Sequence, residues 1–544
     1  MKRTLLITAS VALAFLGLSS FNQNTDGFEV SKQIEIFVKF YEKLNQNYVD
    51  PLNPGDLMSK AIRGITKELD PYTKFRTEKD ILDSKIRQSG EFTGIGSGIF
   101  SKKGRLFISE PFQDFPADAA GMKAGDEIIQ IDDILVSNFK GQAKDLLRGE
   151  VGSKVTLKFK RQGQIKTATI TRGRIDVDAV PYYELLSDNI GYIVLQKFNK
   201  KASSETIAAL RELKQRGATK IILDLRGNPG GLLTEAVNVC NIFIPKGQLI
   251  VNTESAVPSN VKTYKTKKAP IDLDIPLAVL VNGRSASASE IVSGVIQDLD
   301  RGVIVGSRSF GKGLVQSTKR LKYDTQLKVT TSRYFIPSGR CVQSLDYWNR
   351  DASGRPVRVK KGDYKAFKTL NSARAVYDGG GVYPDVIVGR EKPSAIAKSL
   401  NKERVVFDFA TDYYYKHSSV NIETFSLEDS TYEDFKNFVD KSNFEYKTKT
   451  EELIDDLEII AEKEEFDRTI NPQIKALKKS LKNRKELLIA DHQNEISQLI
   501  TDEILKRYHY RRGMLENHAL NNKEVMEAQT VLLDEARYNK ILGK

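Results

Sequence analysis

The chain has 544 residues, of which 40% are hydrophobic and 28% charged. That is too long for one ordinary domain and normal for a globular protein. Its net charge of +13 is scattered among Asp and Glu, with no long basic block and no nucleic-acid motif, so it reads as a solvated surface and argues against a nucleic-acid partner. The two cysteines, Cys240 and Cys341, make no disulfide framework.

At the N-terminus, Met1-Lys2-Arg3 precedes an apolar run over residues 5–18, followed by Ser19-Ser20. This is the pattern of a secretory signal over residues 1–20. The run is short of the ~20 residues of a membrane span, which favours cleavage near Ser20. An uncleaved segment would leave the protein membrane-associated. The expected location is a periplasm. Residues 21–90 read as a helical region for packing or dimerisation. Ile34, Phe37, Val38 and Tyr41 share one face, Leu57, Ala61, Ile65 and Leu69 another, and Asp50-Pro51 and Asp70-Pro71 break the helices.

Over residues 91–176 the pattern changes to short strands. FTGIGSGIF, GRLFISEPF and DEIIQIDD alternate, KDLLRG reads as a helix, and SKVTLKFKR with IKTATITRG forms a closing hairpin. A Gly-rich turn feeding a strand, opposite a helix, can hold a peptide carboxylate on its N–H groups and add the peptide as a further strand. This stretch resembles a PDZ domain, most specifically in the Pro-Ala-x-x-Ala-Gly-x-x-x-Gly-Asp pattern of residues 116–126. The resemblance makes Gly94, Ile95 and Gly96 the carboxylate loop.

Residues 177–390 alternate strands with helices, an α/β pattern with crossover helices. The turn RGNPGG, residues 226–231, ends a buried strand just before a helix, where free N–H groups suit an anion or oxyanion. Further on, an apolar strand runs through VNGRSASASEI, residues 281–291, into a helix. That turn puts a serine hydroxyl at the positive end of a helix, a good place for a nucleophile. Ser285, Ser287 and Ser289 all qualify on position. The four histidines, His417, His492, His509 and His518, lie in the last quarter of the chain. A Ser-His-Asp triad therefore requires the tail to reach back. The local alternative is Lys312, between two glycines in FGKGLVQ. As a base near neutrality it needs a pKa about 3 units below the ordinary ~10.4, roughly 4 kcal/mol of differential interaction. Residues 391–544 turn polar and helical, with stripes of Leu453, Leu457 and Ile460 and of Ile474, Leu477, Leu481 and Leu488. These stripes suit packing on the body or on another subunit. The tail's histidines show no metal-ligand spacing.

The order of signal segment, helical region, PDZ-like module, LDLRGNPGG, SASASEI, FGKGLVQ, YFIPSGR and GGGVYPDV resembles the C-terminal processing (tail-specific) serine peptidases over about residues 30–389. The resemblance implies a multidomain α+β protein: helical N-region, PDZ-like β-barrel, α/β crotonase-like peptidase core and helical C-terminal extension. It implies Ser287, the middle serine of SASAS, as nucleophile and Lys312 as base, with Gln316, one helical turn on, orienting the lysine. The N–H groups of Ala288 and of Gly230 or Gly231 would form the oxyanion hole. It calls for no metal and no organic cofactor. Its substrates would be proteins or peptides with apolar C-termini captured by the PDZ-like module, which would also gate the site. An adaptor protein and a homo-oligomer are compatible partners. Two competing readings are a non-catalytic secreted PDZ scaffold and an acyl-CoA enzyme of crotonase-like fold. The intact Ser287, Lys312 and Gln316 argue against the first, and the secretory segment and PDZ-like module against the second.

Overall fold

The computed structural model of the protein describes residues 27–139, 141–389, 393–442, 444 and 446–544. The signal-like segment, residues 1–20, lies outside them. The chain divides into two compact units, residues 27–76 with 318–329, and residues 77–317 with 330–544.

The first unit holds α1 (Gly27–Asn47), α2 (Pro54–Lys67) and β1 (Lys74–Arg76). Asn53 caps α2 by accepting the Asp56 N–H at 3.1 Å, with Pro54 at the first helical position. Asp70 closes the next turn, accepting the N–H groups of Tyr72 and Thr73 at 2.7 and 2.8 Å. β1 then pairs antiparallel with residues 326–328. Neither helix buries a residue. Ile34, Phe37, Val38, Ile65 and Leu69 are exposed, so the helical periodicity is present without a core under it.

In the second unit, α3 (Glu78–Ser89) leads into β2 (Glu91–Gly94), which pairs with β9 (Gly173–Asp176) and closes the PDZ-like module at its base. Between them β3 (Ser97–Lys102), β4 (Arg105–Pro111), β5 (Glu127–Ile131), β7 (Lys154–Arg161) and β8 (Gln164–Thr171) form a sheet in that order, with β6 (Ile134–Leu135) on β5. The strand pairings of the described residues leave β3 and β8 as edges, so the sheet is open where a barrel was expected. Ile108, Met122, Ile128, Ile131, Leu157 and Ile170 form its core, beneath the short helix α4 (Pro116–Ala119) and a 3-10 turn at Ala143–Leu147.

The second sheet runs β10 (Tyr182–Leu185), β11 (Ile190–Val194), β12 (Lys220–Asp224), β15 (Leu277–Val281), β16 (Val303–Gly306) and, at its far edge, residues 386–387. β10 is antiparallel and the rest parallel. The helices α5 (Ala202–Gln215), α6 (Leu233–Phe243) and α7 (Ala288–Asp298) connect strands that advance in one direction. Right-handed crossovers then place all three on one face, over Ile193, Ile221, Leu223, Leu277, Val279, Val281 and Ile304. β13 (Leu249–Glu254) and β14 (Lys262–Lys265) pair beside this body, and residues 252–254 pair with residues 333–335.

A parallel sheet buries both faces, and the opposite face carries Tyr192, Val194, Ile222, Ala278, Leu280, Val303 and Val305. Its cover comes from the chain's end. Leu515 and Ala519 of α13 (Gln493–Asn521), Val525, Ala528, Val531 and Leu532 of α14 (Lys523–Leu533), and Tyr538 and Leu542 of α15 (Glu535–Leu542) pack there. The Tyr538 hydroxyl accepts the Leu277 N–H at 3.0 Å. The end of the expected C-terminal extension is thus the missing layer of the peptidase core. The earlier helices, α8 (Ala395–Lys402), α9 (Val405–Lys416), α10 (Asp429–Lys441) and the first half of α13, share a core of their own around Phe409, Phe435, Ile496 and Ile500. Between α10 and α13, α11 (Lys449–Lys463) and α12 (Asp467–Asp491) turn Leu453, Leu457, Ile460 and Leu477 outward, although their pattern suits packing. α9 and the second half of α13 also hold the PDZ-like module. Phe407 meets Phe100 edge-on at 5.0 Å, Lys102 pairs with Asp408 at 2.8 Å, and the Tyr510 hydroxyl donates to Asp118 at 2.7 Å.

Candidate active site

The strand β15 ends at Val281, and residues 282–287 turn the chain into α7. Ser287 sits at the corner with φ 54° and ψ −108°. For a residue with a Cβ this left-handed conformation costs on the order of 1–3 kcal/mol and persists only where its surroundings enforce it. The enforcement is visible. The Ser287 N–H donates to Glu290 Oε2 at 2.8 Å, and the Lys312 N–H donates to that same oxygen at 2.8 Å. The two backbone nitrogens therefore lie within twice that distance of each other. Glu290 Oε1 accepts the Ser309 hydroxyl and the Gly311 N–H, each at 2.6 Å. Glu290 is fully buried. Burial pushes its carboxyl above the ordinary value, while the donors from Ser309, Lys312, Ser287 and Gly311 pull the other way.

The three serines of the motif are not equivalent. Ser285 is buried, accepts the Asn282 N–H at 2.9 Å and donates to the Leu225 carbonyl at 2.8 Å. Ser289 is buried and donates to the Asn228 carbonyl at 2.9 Å. Ser287 alone of the three is partly open to solvent. Behind it lies the turn after β12. Asn228, fully buried, donates to the Leu195 carbonyl at 2.7 Å, accepts the Ala286 N–H at 3.0 Å on its carbonyl, and accepts the Gly230 N–H at 2.9 Å on Oδ1. A Cβ on Gly230 would stand 2.6 Å from the Ala286 carbonyl oxygen, 2.9 Å from the Ala288 nitrogen and 3.0 Å from Ser287 Cβ. Only glycine lets the two turns meet this closely.

The same turn is anchored from the far side of the sheet. Arg226 donates to Asp224 at 2.6 Å, to Asn522 Oδ1 at 2.6 Å and to Glu524 at 3.3 Å. Burial works against the Asp224 carboxylate, but Arg226 outweighs it and holds the carboxyl below its ordinary value. The N-terminus of α14 therefore braces the glycine turn.

These motifs match known sequences. The model described as Peptidase family S41 covers residues 189–346, the PDZ domain residues 108–161, and "Probable PDZ-protease, C-terminal helical domain" residues 396–532. A "Probable CtpA-like serine protease" of Staphylococcus haemolyticus is 37% identical over 310 residues, 56% of this chain and 61% of the relative. The chain thus spans about three fifths of that relative's length. A "Carboxy-terminal-processing protease" of Bartonella bacilliformis is 36% identical over 321 residues, 58% of this chain and 73% of the relative. The chain belongs to the S41 carboxy-terminal-processing serine peptidase family. Among solved structures, a photosystem II D1 C-terminal processing protease is 26% identical, over 66% of this chain and 93% of its own, at a TM-score of 0.36.

Against the family pattern, the geometry alters two expectations. Gln316 lies on β17 (Leu314–Arg320) and Lys312 in the loop before that strand, so the two are not related by a helical turn. The Gln316 amide donates to Thr330 Oγ1 at 3.4 Å. The Gly230 N–H is engaged by Asn228, which removes Gly230 as a free donor. Gly231, bridged to Phe198, and Ala288, at the start of α7, have backbone N–H groups in none of the hydrogen bonds given above.

His417, His509 and His518 have ring nitrogens bound to Tyr413, Val420 and Asp502, all within the C-terminal region. In the PDZ-like module, Ile95 is buried and its carbonyl accepts the Ala117 N–H at 2.7 Å. Gly96 takes φ 72°, and a Cβ there would stand 2.5 Å from Phe115 Cβ. Among the described residues no cluster of three or more His, Cys, Asp or Glu suits a metal ion. The sequence contained Glu290 and Asn228 but gave neither a role. Their partners come from distant segments, and a buried carboxylate three residues after a corner serine reads in isolation as an ordinary helix-start acid.

Proposed function

We propose that the protein is a serine endopeptidase that recognises the C-terminus of protein substrates and cleaves them by a Ser-Lys mechanism. The observation that carries this is the shared Glu290 oxygen, which holds the strained Ser287 corner and the Lys312 backbone together. Ser287 is the nucleophile, because the hydroxyls of Ser285 and Ser289 are already engaged. Neutral Lys312 takes the Ser287 proton as Oγ attacks the scissile carbonyl, and Gln316 orients the lysine. The oxyanion is received by the N–H groups of Ala288 and Gly231. The lysine ammonium then protonates the leaving amine, and water, deprotonated by the same lysine, releases the acyl group. No metal or cofactor enters this scheme.

Substrate selection is assigned to the PDZ-like module. Gly94, Ile95 and Gly96 precede β3, an edge strand of its sheet, which suits addition of a peptide strand ending in the loop. In this reading the module also gates the site, an adaptor can present substrates, and the signal-like N-terminus places the enzyme in a periplasm. The one-sided crossover helices support a crotonase-like description of the core.

The test is cleavage of an unfolded reporter with an apolar C-terminal tail, beside a reporter ending in charged residues. Loss of cleavage in both Ser287→Ala and Lys312→Ala, with preference for the apolar tail, is expected. Cleavage persisting in Ser287→Ala overturns the nucleophile. Cleavage with unchanged tail preference after deletion of residues 91–175 overturns the role of the module.

A further inference from the structure

Residues 336–344, which contain the motif SGRCVQ, have no regular structure and run along the lysine loop FGKG. Their far end is fixed. Arg340 is buried, pairs with Asp298 at 2.8 Å and donates to Gln297 Oε1 at 2.8 Å, at the C-terminal end of α7. The Cys341 and Val342 carbonyls accept the N–H groups of Gly379 and Gly381 at 3.0 and 2.9 Å.

Their near end presses on both glycines that flank Lys312. A Cβ on Gly311 would stand 2.4 Å from Ser344 Oγ. One on Gly313 would stand 2.8 Å from Cys341 Sγ and 2.9 Å from the Gln343 nitrogen. Glycine allows this approach, and glycine also frees the loop's own backbone. Hydrogen bonds restore the order. Glu290 holds the Gly311 and Lys312 N–H groups, and the Gly313 N–H donates to Gln343 Oε1 at 2.7 Å. Three consecutive N–H groups centred on the lysine therefore end on two side chains. The Gln343 amide is fixed in turn, because its Nε2 donates to the Leu345 carbonyl at 2.8 Å. Beside it the Ser344 N–H donates to the Gly311 carbonyl at 3.0 Å, and the Tyr334 N–H to the Gly313 carbonyl at 2.9 Å. Glu290 joins the nucleophile's backbone to the base's backbone, whereas the Gln343 amide bonds Gly313 and Leu345, on the lysine side.

We propose that Gln343 is a positioning residue for Lys312, a role that rests on the Ser-Lys reading above. Its amide carbonyl stops the lysine loop from drifting on its two glycines. Lys312 then keeps both its distance to Ser287 and the shielding from water that a neutral lysine requires. A misplacement of about 1 Å in a reacting group can cost about a hundredfold in rate.

The test follows cleavage of the apolar-tailed reporter against pH with the full chain. Gln343→Met removes the amide at nearly the same volume. Gln343→Asn keeps an amide but withdraws it by one methylene, and it carries the test if circular dichroism shows Gln343→Met unfolded. Tyr538→Phe is the structural comparison, since it removes a buried hydroxyl that accepts the Leu277 N–H at 3.0 Å, at the other end of β15 from the Ser287 corner. In Gln343→Met, kcat at the wild-type optimum should fall about tenfold to a hundredfold with KM within about twofold. The acid limb of kcat/KM should move up by about one pH unit, because a loosened lysine is rehydrated and holds its proton to higher pH. Gln343→Asn should move the limb the same way by less, and Tyr538→Phe should leave it in place. Wild-type kcat in Gln343→Met, a loss carried wholly by KM, or a lower kcat with the limb unmoved overturns the role of Gln343. Lys312→Ala, measured beside these, separates the two readings. Cleavage that persists in Lys312→Ala removes the Ser-Lys reading and this role with it. Cleavage lost in Lys312→Ala beside an unmoved limb in the Gln343 variants overturns this role alone.

Discussion

Replacing Glu290 with glutamine changes the site's geometry least while testing what holds it. The carboxylate accepts four hydrogen bonds, two on each oxygen, from Ser309, Gly311, Ser287 and Lys312 at 2.6–2.8 Å. An amide keeps one accepting oxygen and turns the other into a donor. The cheaper orientation points the new NH2 at the Ser309 hydroxyl, which can rotate and accept it, and strands the Gly311 N–H. One buried N–H without a partner costs about 1–3 kcal/mol, similar to the ~1–3 kcal/mol of strain in the Ser287 corner that this network restrains. At about 1.4 kcal/mol per tenfold, kcat should fall roughly tenfold to a hundredfold. Glu290 is buried and bound to backbone, so KM should stay within about twofold. Steady-state cleavage of the reporter gives both constants. A serine-reactive phosphonate gives the labelling rate of Ser287, which should fall with kcat. Wild-type kcat and labelling in Glu290→Gln, or a loss carried wholly by KM, would refute the positioning role. Ser309→Ala removes one of the four donors and also the oxygen that accepts the buried Val382 N–H at 2.7 Å, so it strands one N–H as well and should cost a similar factor.

Three further predictions follow from other parts of the fold. Gly230→Ala should abolish cleavage, since its Cβ would stand 2.6 Å from the Ala286 carbonyl oxygen at φ 91°; normal activity would show that the glycine turn does not press on the Ser287 corner. Arg226→Met leaves Asp224 buried without its cation and should destabilise by about 3–5 kcal/mol, read as a lower urea midpoint of the core; an unchanged midpoint would contradict the bracing role of α14. Glu503 is held at about 2 against the opposing effect of burial, by Lys506 and Arg507. A depressed carboxyl contributes stability above its unfolded value of about 4.5, and that stability is lost as pH falls towards 2. Protection factors on α13, corrected for the intrinsic pH dependence of amide exchange, should therefore be unchanged from pH 7 to 5 and fall between about 4 and 2; in Glu503→Gln that acid step should disappear.

Much of the fold was legible in local pattern. The apolar runs of β11, β12, β15 and β16 and the crossover helices between them follow from composition and turn residues, and the PDZ-like module follows from its glycines and alternating strands. The position of the Ser287 corner followed from the motif as well. The partner of the sheet's second face was not legible. Residues 515–542 look like any polar, helical tail, and only the one-directional strand order leaves a face for them to cover. The periodicity of Leu453, Leu457 and Ile460 was correct as a stripe, but its direction was not readable, because a helix records which residues share a face and not which face turns inward.

By itself the sequence determined the elements, the glycines that close approach and left-handed turns demand, and a chemistry without a nearby histidine. Tertiary structure alone decided which serine is open. Ser285 and Ser289 find acceptors at Leu225 and Asn228, about sixty residues away. It also decided that Glu290 gathers donors from both sides of the site, and that Asn228 engages Gly230 and leaves Gly231. The physical reason is that a hydrogen-bonding group is specified by its type along the chain, while its partner is set by the packing that buries it.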